Sequence, residues 1–131
     1  MGFTGVPGLN VEMPDDQHSP LDFFNLFIKD DDFQTMADET NRYAEQYLQR
    51  NEGNLKPSSR FRNWVKTTLD EMKVFIAMTI AMGLVVQLDI SEYWTISEVN
   101  TTPFFPSLMP RDRFWLLMCF FHLADNSAQV R

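Results

Sequence analysis

Apolar residues in this chain recur at three- and four-residue steps, the spacing of one face of an α-helix. Leu21, Phe24, Phe27 and Ile28 form the first such face. It follows Ser19 and Pro20, an N-cap residue and a proline suited to the first helical position. Asp30, Asp31 and Asp32 then supply an N-cap and negative charge where a second helix begins. That helix carries Phe33, Met36, Ala37, Thr40, Ala44, Tyr47 and Leu48 on one face, and the polar, Gly- and Pro-containing residues 51–59 read as a loop. Thr68-Leu69-Asp70-Glu71 reads as a capping box, hydroxyl and carboxylate closing the first turn reciprocally. It opens a helix with Leu69, Met72, Phe75, Ile76, Ile80 and Gly83 at helical steps. Val74, Ala77, Met78 and Ala81 between them are also apolar, so this helix belongs at the centre of a core. Gly83 suits either a helix cap or the close packing of a neighbour. Ser91-Glu92-Tyr93-Trp94 predicts a short helix or turn, and Pro103 and Pro106 predict an irregular stretch. Pro110 starts a last helix reaching about Leu123. No period-two alternation is long enough for a strand. The predicted fold class is all-α, with about five helices.

Length and composition set the organisation. At 131 residues, 44% hydrophobic and with twelve phenylalanines, the chain has apolar surface enough for one folded domain. Residues 1–19 contain three glycines, two prolines and no apolar period, and read as a flexible arm. Residues 20–126 form the helical segment and 127–131 a tail. The start lacks the basic and apolar regions of a secretory signal, and position six lacks the Ser or Thr of a myristoylation motif. The longest mostly apolar run, Val74 to Val86, is too short to span a bilayer, which takes about twenty residues. A soluble, intracellular protein is the expectation.

The net charge of −7 is uneven: residues 1–50 hold ten acids against three bases, and residues 51–131 hold eight of each. A polyanion would therefore be held only by a local basic patch. The window from Lys56 to Lys66 has that composition, with Lys56, Arg60, Arg62 and Lys66 interleaved with Phe61 and Trp64 and no acid between Glu52 and Asp70. Two readings stand: phosphate contacts from a basic loop, or a solvated loop whose Trp64 packs on the core. Arg111 and Arg113 lie in the first turn of the last helix, where cations oppose the dipole. They need an anion, either one of the chain's own carboxylates or a phosphate. Asp30, Asp31 and Asp32 are adjacent, so they fan outward from a helix start instead of converging on metal ions ~4 Å apart. His18, His122 and the single Cys119 are too few for a structural zinc site. One cysteine forms no intrachain disulfide; Cys119 reads as buried and inert, and His122 as a satisfied core or cap histidine. No cofactor, metal or small-molecule substrate is implied. The apolar residues Phe114, Trp115, Leu117, Met118, Phe120 and Phe121 cover more than one helix face, so one face calls for a partner.

One resemblance joins these segments. Pro20-Leu21-Asp22-Phe23-Phe24, Glu39-Thr40-Asn41-Arg42-Tyr43-Ala44, Trp64, Thr67-Thr68, Glu71-Met72, Met82-Gly83, Glu92-Tyr93-Trp94, Met109-Pro110-Arg111-Asp112-Arg113-Phe114 and His122-Leu123-Ala124-Asp125-Asn126 stand in the order found in transposases. Over residues 20–126 the chain resembles the piggyBac family. The resemblance implies the first half of a helical dimerisation and DNA-binding domain, ahead of an RNase H-like catalytic domain with three metal-binding aspartates. The first of those aspartates lies beyond the His122–Asn126 motif, and no residue here matches it. The implied function is a non-catalytic, transposase-derived segment that binds DNA weakly through Lys56, Arg60, Arg62, Lys66, Arg111 and Arg113. The alternatives are a host-adapted protein-interaction module binding a full-length relative or another nuclear protein, and a truncated product without a stable role. Self-association or contact with a related transposase-derived protein is the expected partnership. A nuclear location follows from the family, since no targeting signal is visible.

Overall fold

The computed structural model describes residues 19–95 and 103–125. The readings of residues 1–18 and 126–131 lie outside them. Among the described residues the chain forms five α-helices and two 3-10 turns, with no strand: α1 (Pro20–Phe27), α2 (Asp30–Arg50), the turn Arg60–Asn63, α3 (Leu69–Leu84), the turn Ile90–Trp94, α4 (Phe104–Leu108) and α5 (Arg111–Phe120). The fold is all-α, as expected. No helix among these residues is long and apolar enough to cross a membrane.

Local chemistry accounts for most helix ends. Asp22 accepts from the Ser19 backbone N–H at 2.7 Å, and Ser19 Oγ accepts from Asp22 N–H at 3.3 Å, a reciprocal cap around Pro20. At α2 the triple aspartate lies inside the first turn and Lys29 holds the cap position. An ammonium has no acceptor, so only half a box forms, with Asp32 accepting the Lys29 N–H at 2.7 Å. At α3 Thr68 Oγ accepts from Glu71 N–H at 3.3 Å. The Glu71 carboxylate, predicted to complete that box, is drawn away by a partner 42 residues distant.

Three boundaries depart from expectation. Pro103 and Pro106 do not break the chain, because α4 places them at its cap and first turn, where a missing N–H is tolerated. Gly83 is neither a cap nor a close-packing site: a Cβ there would meet nothing within 4 Å. The α3 end is instead held by Tyr93, whose hydroxyl donates to Val85 O at 2.6 Å and accepts from Gln87 N–H at 3.2 Å. The last helix stops at Phe120, short of Leu123. From there the chain crosses α2, with His122 N–H donating to Thr40 Oγ at 3.2 Å and Arg42 donating to Asp125 at 2.9 Å. His122 is therefore not a helical core residue. Its ring stacks on Tyr43 at 3.6 Å between centroids.

The core has two parts. The larger joins α2, α3, α4 and α5 through Phe33, Met72, Phe75, Met78, Phe105 and Phe114. The smaller centres on Phe120, Leu116 and Ala44, edged by Tyr43, Tyr47, Phe61 and Trp64. The apolar circumference of α3 is only half covered. Met72, Phe75 and Met78 are buried, while Ile80 and Leu84 stand exposed, Leu84 by 84%, as does Val86 beyond the helix end. On α1, Phe24 packs on the core, as does Ile28 at its C-cap, and Leu21 and Phe27 face outward.

Candidate nucleic-acid interface

The basic window is fixed in place by what surrounds it. Asn41 on α2 grips Thr67 through both backbone groups, donating to its carbonyl at 2.9 Å and accepting its N–H at 2.8 Å. Arg62 donates to Leu55 O at 2.7 Å and Lys56 O at 3.1 Å, which ties the loop to the 3-10 turn. Phe61 enters the smaller core, its ring 5.3 Å from both Tyr47 and Phe120. Loop and turn are thereby held against α2 and α5 by apolar contacts, with charged ends left at the surface.

The six basic residues then divide. Arg113 turns inward: its guanidinium makes two hydrogen bonds to Glu71, at 2.7 and 2.6 Å, a third to Val65 O at 2.9 Å, and lies 4.8 Å over the Trp64 ring. Glu71 also accepts from Thr67 Oγ at 2.7 Å. Burial pushes the Glu71 carboxyl up, but the hydrogen bonds from Arg113 and Thr67 and the guanidinium charge outweigh it and hold the group below its usual range. Trp64 accordingly packs on the core, as one of the two readings of the window had it. Lys66 pairs with Glu45 at 2.7 Å, and the carboxylate raises the lysine pKa by accepting that bond and by its charge.

Arg60, Arg111 and Lys56 remain outward. Arg60 lies 4.4 Å over the Trp115 ring and has no carboxylate partner among the described residues. Arg111 has only the adjacent Asp112, at a long 3.4 Å, with both side chains more than half exposed. Arg60 and Arg111 line one concavity of about 380 Å³ with Asp89, Ile90, Ser91 and Trp115. Asp89 drew no reading from the sequence and Ser91 only that of a short helix or turn; in the structure Asp89 caps the Ile90–Trp94 turn. Trp115 lies one helical turn from Arg111, a spacing that was readable on α5 once the helix was assigned.

The other polar candidates are structural. Asp30 pairs with Lys73 at 2.7 Å and Asp32 caps α2. Among the described residues no three His, Cys, Asp or Glu side chains are grouped to hold a metal ion. Cys119, expected to be buried, is exposed on α5. Its thiol is pushed up in pKa by desolvation, against the opposing charge of Arg60, which disfavours the reactive thiolate.

Residues 19–131 match the family described as Transposase IS4. The chain belongs to the piggyBac-type transposase IS4 family. It is 28% identical over 136 aligned residues to the human PiggyBac transposable element-derived protein 5, an alignment covering 98% of this chain and 23% of that relative. The chain thus spans about a quarter of the length of the curated relative. No solved structure matches it significantly. Within this transposase-derived family, the Arg113–Glu71 pair and the His122–Asp125 strap acquire a common reading: residues that carried the resemblance make long-range contacts that close the fold.

Proposed function

We propose that this chain is a non-catalytic DNA-docking segment of a piggyBac transposase-derived protein, working in the nucleus. Its nucleic-acid face is the surface of the loop, the Arg60–Asn63 turn and the first turn of α5. The supporting observation is the sorting of the basic residues: Arg113 and Lys66 are engaged by Glu71 and Glu45, while Lys56, Arg60 and Arg111 point outward with Arg62 bracing the loop beneath them. Guanidinium groups in that position suit backbone phosphates, which set register without reading sequence. The acidic remainder of the chain keeps such binding weak and strongly salt-dependent.

A triple variant, Lys56→Ala with Arg60→Ala and Arg111→Ala, should lower the dependence of log K on log salt by about one unit per residue removed. Binding should weaken alike on unrelated duplexes, while Lys66→Ala changes little. A gel shift at low and physiological salt reads this out. A triple variant that binds as tightly as its parent would refute the assignment of the face.

A second role in association is favoured by a separate observation. Leu21 and Ile80 line a mostly apolar groove of about 650 Å³ between α1 and α3, and Leu84, Val86 and Leu88 are exposed as well. Exposed apolar surface of this kind drives contact with a partner, here a second copy or a related transposase-derived protein. Sedimentation should find a dimer or larger species that dissociates when Leu84 and Val86 are changed to Ser. A monomer across the micromolar range would remove this role.

A further inference from the structure

We infer that the concavity between the Arg60–Asn63 turn, the Ile90–Trp94 turn and α5 is a nucleotide subsite. It takes one phosphate at Arg60 and Arg111 and the exocyclic amino group of the attached base at Asp89. This deepens the DNA-docking reading and rests on it for the phosphate-binding face, but adds a base-reading function that the backbone contacts lack.

The observation behind it is a pocket of both charges whose members do not neutralise one another. Arg60, Arg111 and Asp89 line a single cavity of about 380 Å³, within the range of small-ligand sites. No ion pair joins Asp89 to either arginine. Asp89 instead points Oδ1 at its own turn, accepting from Ser91 N–H at 2.7 Å and Ser91 Oγ at 2.5 Å. These bonds favour its ionised form and leave Oδ2 without a partner among the described residues. Arg60 has its guanidinium carbon 4.4 Å over the Trp115 ring, a cation–π contact that favours its placement at the cavity. Phe61 lies beside the same indole, at 6.0 Å between centroids, so Trp115 serves as a platform for the arginine and not as a stacking surface for a base.

A purely anionic ligand would satisfy the two guanidiniums and be repelled by Asp89. A purely cationic one would meet the reverse. The arrangement suits a ligand with an anion at one end and a hydrogen-bond donor at the other. A nucleotide bearing cytosine, adenine or guanine has that form, since a carboxylate accepts from an exocyclic amine, whereas thymine has none and offers a carbonyl where cytosine has its amine.

The full chain titrated with dCMP, dTMP and inorganic phosphate, followed by calorimetry and by the Trp115 indole N–H resonance, tests this. The assignment is dCMP tightest, with dTMP and phosphate at least tenfold weaker. Arg60→Ala or Arg111→Ala should weaken dCMP tenfold or more. Asp89→Asn should abolish the preference for dCMP over dTMP while leaving phosphate binding intact. All three substitutions are at exposed positions, and unchanged circular dichroism confirms the fold. Equal binding of the three ligands, or a preference unmoved by Asp89→Asn, overturns the subsite. If duplex binding persists in that case, the docking face stands without it. If dCMP binds as described while duplexes do not, the pocket stands and the DNA-docking reading falls.

Discussion

Phe120→Ala will cost about 3–5 kcal/mol of folding stability, the range for removing a fully buried aromatic ring. The side chain is 1% exposed, and its ring lies 4.9 Å from Trp64, 5.3 Å from Phe61 and 5.5 Å from Tyr47, mostly edge to face. These neighbours come from α2 and from the loop carrying the basic residues, so one ring fastens α5 to both. Truncation forfeits the burial and leaves a cavity among rigid aromatics that collapse poorly. A domain worth about 5–15 kcal/mol would lose a large fraction of its stability. Urea unfolding followed by tryptophan fluorescence measures it. A loss under about 1 kcal/mol would mean that the smaller core does not form around Phe120. The consequence for function is direct, because Arg60 and Lys56 are placed by the same packing.

Arg113→Ala should cost about 2–4 kcal/mol. The guanidinium and the Glu71 carboxylate retain only 17% and 27% side-chain exposure, so each loses most of its water on folding. Removing one partner strands the other, which for a buried pair costs about 3–5 kcal/mol, somewhat less at this partial exposure. The Val65 carbonyl loses its donor as well. Glu71→Gln, which keeps size and one acceptor, should cost less than Glu71→Ala. The pair also carries a pH signature. The folded carboxyl titrates below the usual carboxylate range, about 4.3 for a free glutamate, so its contribution is complete above that value. It is lost as pH falls from there through the lower folded pKa, and Arg113→Ala should flatten this part of the stability curve. A variant with the parental acid limb would show that Glu71 is not held by Arg113.

The contrast between Arg111 and Arg113 shows where sequence reasoning reaches. Two residues apart and both in the first turn of α5, they carry the same helix-dipole penalty and the same need for an anion. On a helix, positions two apart face different directions, and only the neighbouring element decides what each finds. Arg113 finds Glu71 on α3; Arg111 finds the mouth of a pocket. The capping box at Thr68 fails for the same reason. Its hydroxyl half is local and forms, and its carboxylate half is taken by a competitor from the far end of the chain.

By itself the sequence determined most of the helices, though not α4, which its two prolines had marked as irregular. The helical period of Phe33 to Leu48, the Ser19-Pro20 and Thr68 caps and the want of any strand alternation are properties of residues a few positions apart. Those interactions close within one or two turns and need no fold around them. The family was legible for a related reason, since its marker residues keep their order along the chain. Tertiary structure alone decided the basic residues, which pair, stack or project according to side chains tens of positions distant. It also decided Cys119, which its apolar neighbours in sequence suggested was buried, and the α5 end, where Thr40 and Tyr43 hold residues that periodicity had extended as helix. Burial and ion pairing are properties of the assembled surface, and no local window contains them.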